Sequence, residues 1–130
     1  MSDVSLGYVL LFVKDVSATL SFYEEAFGLS RRLYMDNDGK AYGELETGAT
    51  RLAFACLALA NEDVITASLD KPPLAFEVAF TTADVPELYA RAVKAGATVV
   101  HAPAMKPWGQ LVAHLRDKDG NLVELCTPLP

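Results

Sequence analysis

Glu77 is set inside the apolar run Leu74-Ala-Phe-Glu-Val-Ala-Phe80. A carboxylate there is costly to bury unless it is paired, hydrogen-bonded or protonated. Glu124 is in the same position within Leu122-Val-Glu-Leu-Cys126. His114 lies ten residues before Glu124, in Leu111-Val-Ala-His-Leu-Arg116, and the turn Asp117–Asn121 between them would pair their strands. Strand alternation puts Tyr8 on one face with Leu10 and Phe12, Glu77 with Ala79, and Glu124 with Leu122 and Cys126. Two carboxylates on one face repel each other. At least one is therefore expected to hold its proton more tightly than usual, available as a proton donor or as an anchor for a basic ligand. For Glu77 two readings stay open: an acid facing a ligand, or a structural acid hydrogen-bonded to Tyr8 or to the backbone. His114 is either a cavity-lining group or a satisfied strand residue.

Other residue types with chemical potential read more plainly. Trp108, in Pro107-Trp-Gly109, is either a packing anchor at a dimer contact or a flat wall for stacking a ligand. His101, beside Ala102-Pro103 at a strand end, is expected to be structural or exposed. Cys56 and Cys126 end strand-like runs and read as small buried thiols in a reducing compartment, with no CxxC spacing for zinc or redox work. Phosphate-cradling glycine loops, a nucleophile elbow and paired histidines are all absent, so hydrolase, kinase and dinucleotide readings find no support.

The elements that must position these groups form a repeat. Tyr8 to Val13 reads as a buried strand. Asp15 offers an N-cap to a helix with Val16, Leu20, Tyr23 and Phe27 at helical spacing, and Gly28 ends it. Strands are expected at Ser30–Met35, Ala41–Glu46 and Arg51–Leu57, punctuated by Asn37-Asp-Gly39 and Thr47-Gly48. The pattern restarts with a strand at Leu74–Thr81. Asp84 and Glu87 make a capping box for a helix with the stripe Val85, Leu88, Tyr89, Ala92 and Val93, ended by Gly96. Strands follow at Thr98–Ala102, Gln110–Arg116 and Leu122–Cys126. This is βαβββ written twice, over 1–59 and 74–130, with a polar linker at 60–73. A unit of this kind must bury one sheet face against a copy of itself. The expected fold class is α+β: a single domain over 1–130 in which the two modules form a mixed half-barrel sheet around a concave pocket, with the helices outside.

Size and composition agree. The 130 residues fit one domain, and 52% hydrophobic with 22% charged residues excludes a disordered chain. Eleven Lys and Arg against 17 Asp and Glu give a net charge of −6. With no basic cluster longer than Arg31-Arg32, nucleic acid is not an expected partner, and the negative balance mildly favours cationic ligands. The longest apolar stretch near the N-terminus, Tyr8 to Val13, is too short to span a membrane, so no membrane association is expected and the expected location is the cytoplasm.

The two-fold pattern resembles the vicinal oxygen chelate superfamily, which includes glyoxalase I, fosfomycin-modifying enzymes, extradiol dioxygenases and bleomycin-binding proteins. The resemblance rests on Val13-Lys-Asp-Val16 with Ser21-Phe-Tyr23 and Phe27-Gly28, on Asp84-Val85 with Ala95-Gly-Ala97, and on Pro107-Trp-Gly109. Its most specific element is Arg116-Asp-Lys-Asp-Gly-Asn121 leading to Val123-Glu-Leu125. The resemblance implies that members with chemistry hold one divalent ion, usually on His and Glu. The first ligand position lies seven residues before the helix-capping Asp, which here is Tyr8. The corresponding position of the second half is Glu77, where relatives usually carry His, and the final-strand Glu matches Glu124. A fourth would fall at Ala53 or Phe54. The set Tyr8, Glu77 and Glu124 contains only oxygen donors, which suit magnesium, calcium or manganese better than zinc, nickel or iron. No cofactor is therefore expected beyond a weakly held divalent cation on Glu77 and Glu124.

Two functions remain open. One is a glyoxalase/bleomycin resistance-like homodimer that binds a small organic molecule in its concave pocket without the family's metal. The other is a glyoxalase-like lyase or related enzyme with Glu77 and Glu124 as catalytic proton carriers. In both, Tyr8, His114 and Trp108 are the expected ligand-binding residues.

Overall fold

The computed structural model describes residues 3–59 and 76–130. The expected linker at 60–73 and the start of the run at Leu74 lie outside them. The element order is β1 (Tyr8–Phe12), α1 (Val16–Phe27), β2 (Arg31–Asn37), β3 (Lys40–Leu45), β4 (Arg51–Ala55), then β5 (Glu77–Thr81), α2 (Val85–Lys94), β6 (Thr98–Met105), β7 (Leu111–Arg116) and β8 (Leu122–Cys126). A single 3-10 turn, Leu57–Leu59, follows β4. The fold is α+β, and βαβββ occurs twice.

Each repeat builds its own open, four-stranded mixed sheet, ordered β1-β4-β3-β2 in the first and β5-β8-β7-β6 in the second. The first and last strands of each repeat pair in parallel, and the remaining pairs are antiparallel. The chain divides into two compact units along the repeat, with the last turn of α1, Glu25–Gly28, belonging to the second.

In the first unit one sheet face carries Leu11, Leu45, Leu52 and Phe54, all buried. On the helix, Val16, Leu20 and Tyr23 are buried as their spacing predicts, and Thr19, Phe22 and Ala26 join them. The Tyr23 and Phe54 rings meet at 5.0 Å. The helix comes so close to β3 that a Cβ on Gly43 would lie 2.5 Å from Leu20 Cδ1. The β2–β3 hairpin turns on Asp38 and Gly39, both at positive φ (59° and 82°), the two-residue geometry that an Asp-Gly pair favours.

The second unit buries Ala113, Leu115, Val123 and Leu125 completely on the face toward α2, which lies against β6, β7 and β8. Both capping aspartates act as expected: Asp15 accepts from Ala18 N–H at 3.0 Å and Asp84 from Glu87 N–H at 3.1 Å. The return half of the second capping box is not formed, because the Thr82 hydroxyl takes the Asp84 N–H instead. The apolar stripe of α2 is also narrower than its spacing predicts: Val85 and Ala92 are buried, whereas Val93 is exposed. Strand β6 runs on to Met105, past the expected end at Ala102, because irregularities in its pairing let it pass Pro103 while staying beside β7.

Candidate functional site

The β7–β8 turn fixes the geometry. Asp117, itself buried, accepts from the backbone N–H groups of Asp119 and Asn121, both at 2.8 Å, and from the Asn121 side-chain amide at 3.1 Å. Asp117 N–H donates to the Asn121 carbonyl, and Arg116 donates to the Gly120 carbonyl at 2.8 Å. These bonds hold one register, in which His114 lies directly opposite Glu124. On the other side of β8, Glu124 is opposite Ala79, one step along the same face from Glu77. The most specific sequence motif is thus the device that aligns the polar residues.

The result is a compact cluster on the face turned away from α2. His114 Nε2 is 3.2 Å from Glu124 Oε1 and 4.0 Å from Glu77 Oε1. Among the described residues, His114 is the one basic group at ion-pair distance from either carboxylate. His114 and Glu124 are mostly buried, and Glu77 is two-fifths exposed. Burial, then the charge of Glu124, then a hydrogen bond with it, push the Glu77 carboxyl above the usual carboxylate range, while His114 acts against that shift. The Cys126 thiol is pushed up by its own burial and then by Glu124. Glu77 is thus the carboxyl of this cluster that holds its proton more tightly than usual.

His101, read from the sequence as structural or exposed, is exposed and also stands beside this cluster. It pairs across β6 and β7 with His114, their rings 5.7 Å apart at 77°. One titratable residue from each strand thus forms a row: His101 on β6, His114 on β7, Glu124 on β8 and Glu77 on β5. The irregular register of β6 hid this neighbour from simple alternation.

Each of Glu77, His114 and Glu124 offers a ligand atom, all within 4.8 Å of one another. One imidazole with two carboxylates fits a divalent ion, including borderline ions that an oxygen-only set serves poorly. Within this sheet the two expected carboxylates, Glu77 and Glu124, are joined by a nitrogen donor from β7. The matching place in the first unit carries a different set of side chains. Strand register makes Tyr8 equivalent to Glu77, Glu44 to His114 and Ala53 to Glu124, which leaves Phe54 on the helix-facing side.

Tyr8 belongs to the first unit, exposed on its sheet. Its neighbourhood contains a polar group that the sequence did not reveal. Glu44 accepts from the Tyr42 hydroxyl at 2.6 Å and from Arg32 at 2.9 Å. Burial, then the bond to Glu44, push the Tyr42 hydroxyl well above the usual phenol range. Spacing alone carried no sign of this pairing, because Arg32 arrives from the neighbouring strand beside a bulge. Trp108 lies in the β6–β7 turn, exposed, its indole N–H donating to Gln110, whose amide donates to the Thr127 carbonyl. Both cysteines are free, Cys126 buried and Cys56 partly so.

The Glyoxalase/Bleomycin resistance protein/Dioxygenase superfamily matches residues 5–125. The chain belongs to this superfamily. Among curated proteins it is 28% identical over 123 residues to the virulence protein STM3117 of Salmonella typhimurium, covering 92% of this chain and 81% of that one. A glyoxalase-related enzyme from Fulvimarina pelagi shares the fold with a TM-score of 0.79 at 23% identity, over 95% of this chain and 87% of its own. A family enzyme from Burkholderia phytofirmans gives 0.75 at 23% identity, over 95% and 98%. At such identities these structures attest the fold. No helix among the described residues is long and apolar enough to cross a membrane.

Proposed function

We propose that the protein is a small-molecule-binding member of the superfamily that anchors a positively charged centre of its ligand on Glu77, His114 and Glu124. One observation carries this reading: among the described residues, two carboxylates share a single imidazole as their basic partner at ion-pair distance. Such a cluster is short of positive charge, and a cationic ligand supplies it beside carboxylates that folding has already partly desolvated. The protein's net charge of −6 draws cations toward it. In this reading Glu77 releases its proton when the ligand arrives, Glu124 stays paired, and His114 orients both. A divalent ion held by the same three side chains would polarise a ligand oxygen. Homodimer formation and a cytoplasmic location belong to this proposal, as do ligand-facing roles for Tyr8 and Trp108.

The Glu77 carboxyl, which burial and Glu124 raise above the usual carboxylate range, favours a second reading, in which Glu77 and Glu124 transfer protons as in a glyoxalase-like lyase. Turnover of the methylglyoxal–glutathione adduct distinguishes the two. The test of the first is a thermal-shift screen of chelator-treated protein against organic cations and matched neutral compounds. Cations should raise the melting temperature of the wild type and lose that effect in Glu77→Gln and Glu124→Gln. Equal shifts in wild type and both variants would refute the anchor.

A further inference from the structure

We propose that the positive centre held at Glu77 and Glu124 is a primary ammonium group, which approaches over Ala79 from the edge of the second sheet. The inference rests on reading this cluster as a cation anchor and adds which kind of cation it takes. Strand β5 lies at the sheet edge, and Glu77, Ala79 and Thr81, on the face turned away from α2, are all exposed. Ala79 is directly across from Glu124. Beside the two carboxylates, β5 therefore places nothing larger than a methyl group.

Hydrogen-bond capacity selects the cation. An ionised carboxylate offers about four lone-pair sites. Glu124 has His114 at 3.2 Å, with the Cys126 thiol and the Glu77 carboxyl as further partners. Arg116 shares this face but donates to the Gly120 carbonyl at 2.8 Å. Among the described residues, one imidazole and one thiol thus serve two acids, and the remaining acceptor sites call for N–H donors as well as charge. A tetrahedral nitrogen donating two bonds of about 2.8 Å bridges acceptors about 4.6 Å apart. The ligand atoms of Glu77, His114 and Glu124 lie within 4.8 Å of one another. A planar guanidinium favours both oxygens of one carboxylate, whereas Glu124 Oε1 already faces His114. A quaternary ammonium has no N–H and is held by faces of Trp, Tyr or Phe. The rows flanking Ala79–Glu124–His114 are Glu77–Leu122–Arg116 and Thr81–Cys126–Val112, which contain no such ring.

The test uses the full chain after chelator treatment and four probes of equal charge at neutral pH: hexylamine and its N-methyl, N,N-dimethyl and N,N,N-trimethyl forms. In calorimetric titration, affinity should fall with methylation, by on the order of 100-fold from the primary to the quaternary ammonium, because two charge-assisted hydrogen bonds are lost. Ala79→Leu, an exposed edge-strand variant, should keep its ligand-free melting temperature within about 2 °C of wild type. It should weaken hexylamine binding about tenfold by filling the approach. Equal affinity across the series, tighter binding of the trimethyl form, or an Ala79→Leu protein that binds hexylamine like wild type would each overturn the proposal. The outcomes separate it from the anchor reading. If all four probes bind equally and lose their binding in Glu77→Gln, the ammonium assignment falls and the anchor stands. If none binds, both fall.

Discussion

Replacing Asp117 with alanine tests whether the β7–β8 turn sets the site. Its carboxylate accepts three hydrogen bonds, two from backbone N–H groups at 2.8 Å and one from the Asn121 amide at 3.1 Å. Asp117 and Asn121 are both buried, so the two Asn121 donors lose their acceptor out of reach of water, whereas the partly exposed Asp119 N–H can turn to solvent. Hydrogen bonds to a charged group contribute about 1.5–3 kcal/mol each, so two orphaned donors amount to about 3–6 kcal/mol. For a chain of this length that lowers the melting temperature by roughly 11–22 °C. Calorimetry at neutral pH measures it, with Asp117→Asn, which keeps one acceptor oxygen, falling between. Lys118→Ala, on the exposed side of the same turn, should change stability by less than about 0.5 kcal/mol. An Asp117→Ala protein melting within 2 °C of wild type would show that the turn does not hold the strand register, and would remove the reason His114 faces Glu124.

Glu77→Gln should make stability less dependent on pH. Below about pH 4.5, the ordinary value for Glu, Glu77 is protonated in the folded and unfolded chain alike. Above it the unfolded chain releases the proton while the folded chain retains it, so wild-type stability falls as pH rises toward the raised folded value. The variant escapes that loss and gains at most about 1 kcal/mol at pH 8, because Glu77 is partly exposed; melting curves at pH 4 and pH 8 check the sign. Gly43→Ala forces a methyl group to within 2.5 Å of Leu20 Cδ1 and should cost about 1–3 kcal/mol in chemical denaturation. Light scattering at micromolar concentrations should give twice the chain mass; a monomer throughout would refute the dimer.

Most of the fold was legible because its signals are local. Asp15 and Asp84 cap their helices through bonds three residues ahead, and Asp38-Gly39 needs only its own φ angles to turn the chain. The placement of Glu77, His114 and Glu124 on one face followed from alternation and a five-residue turn. What stayed hidden depends on register between strands. His101 reached His114 only through an irregular β6, and Arg32 reached Glu44 beside a bulge in β2. A bulge shifts which residue faces which, and periodicity carries no record of it. The reciprocal cap on Asp84 failed for a similar reason, since Thr82 was a nearer partner for the same N–H.

The chain has two histidines, so selective nitrogen-15 labelling of histidine yields just two sets of imidazole signals. Following them while chelator-treated protein is titrated with the best organic cation from the thermal-shift screen tests the anchor directly. The His114 ring nitrogens should move progressively to a saturated position, with His101 following to a lesser extent, and neither should move in Glu124→Gln. A cation that binds and stabilises the protein while leaving both imidazoles unmoved would contradict the account, because the ligand would then be held away from Glu77, His114 and Glu124.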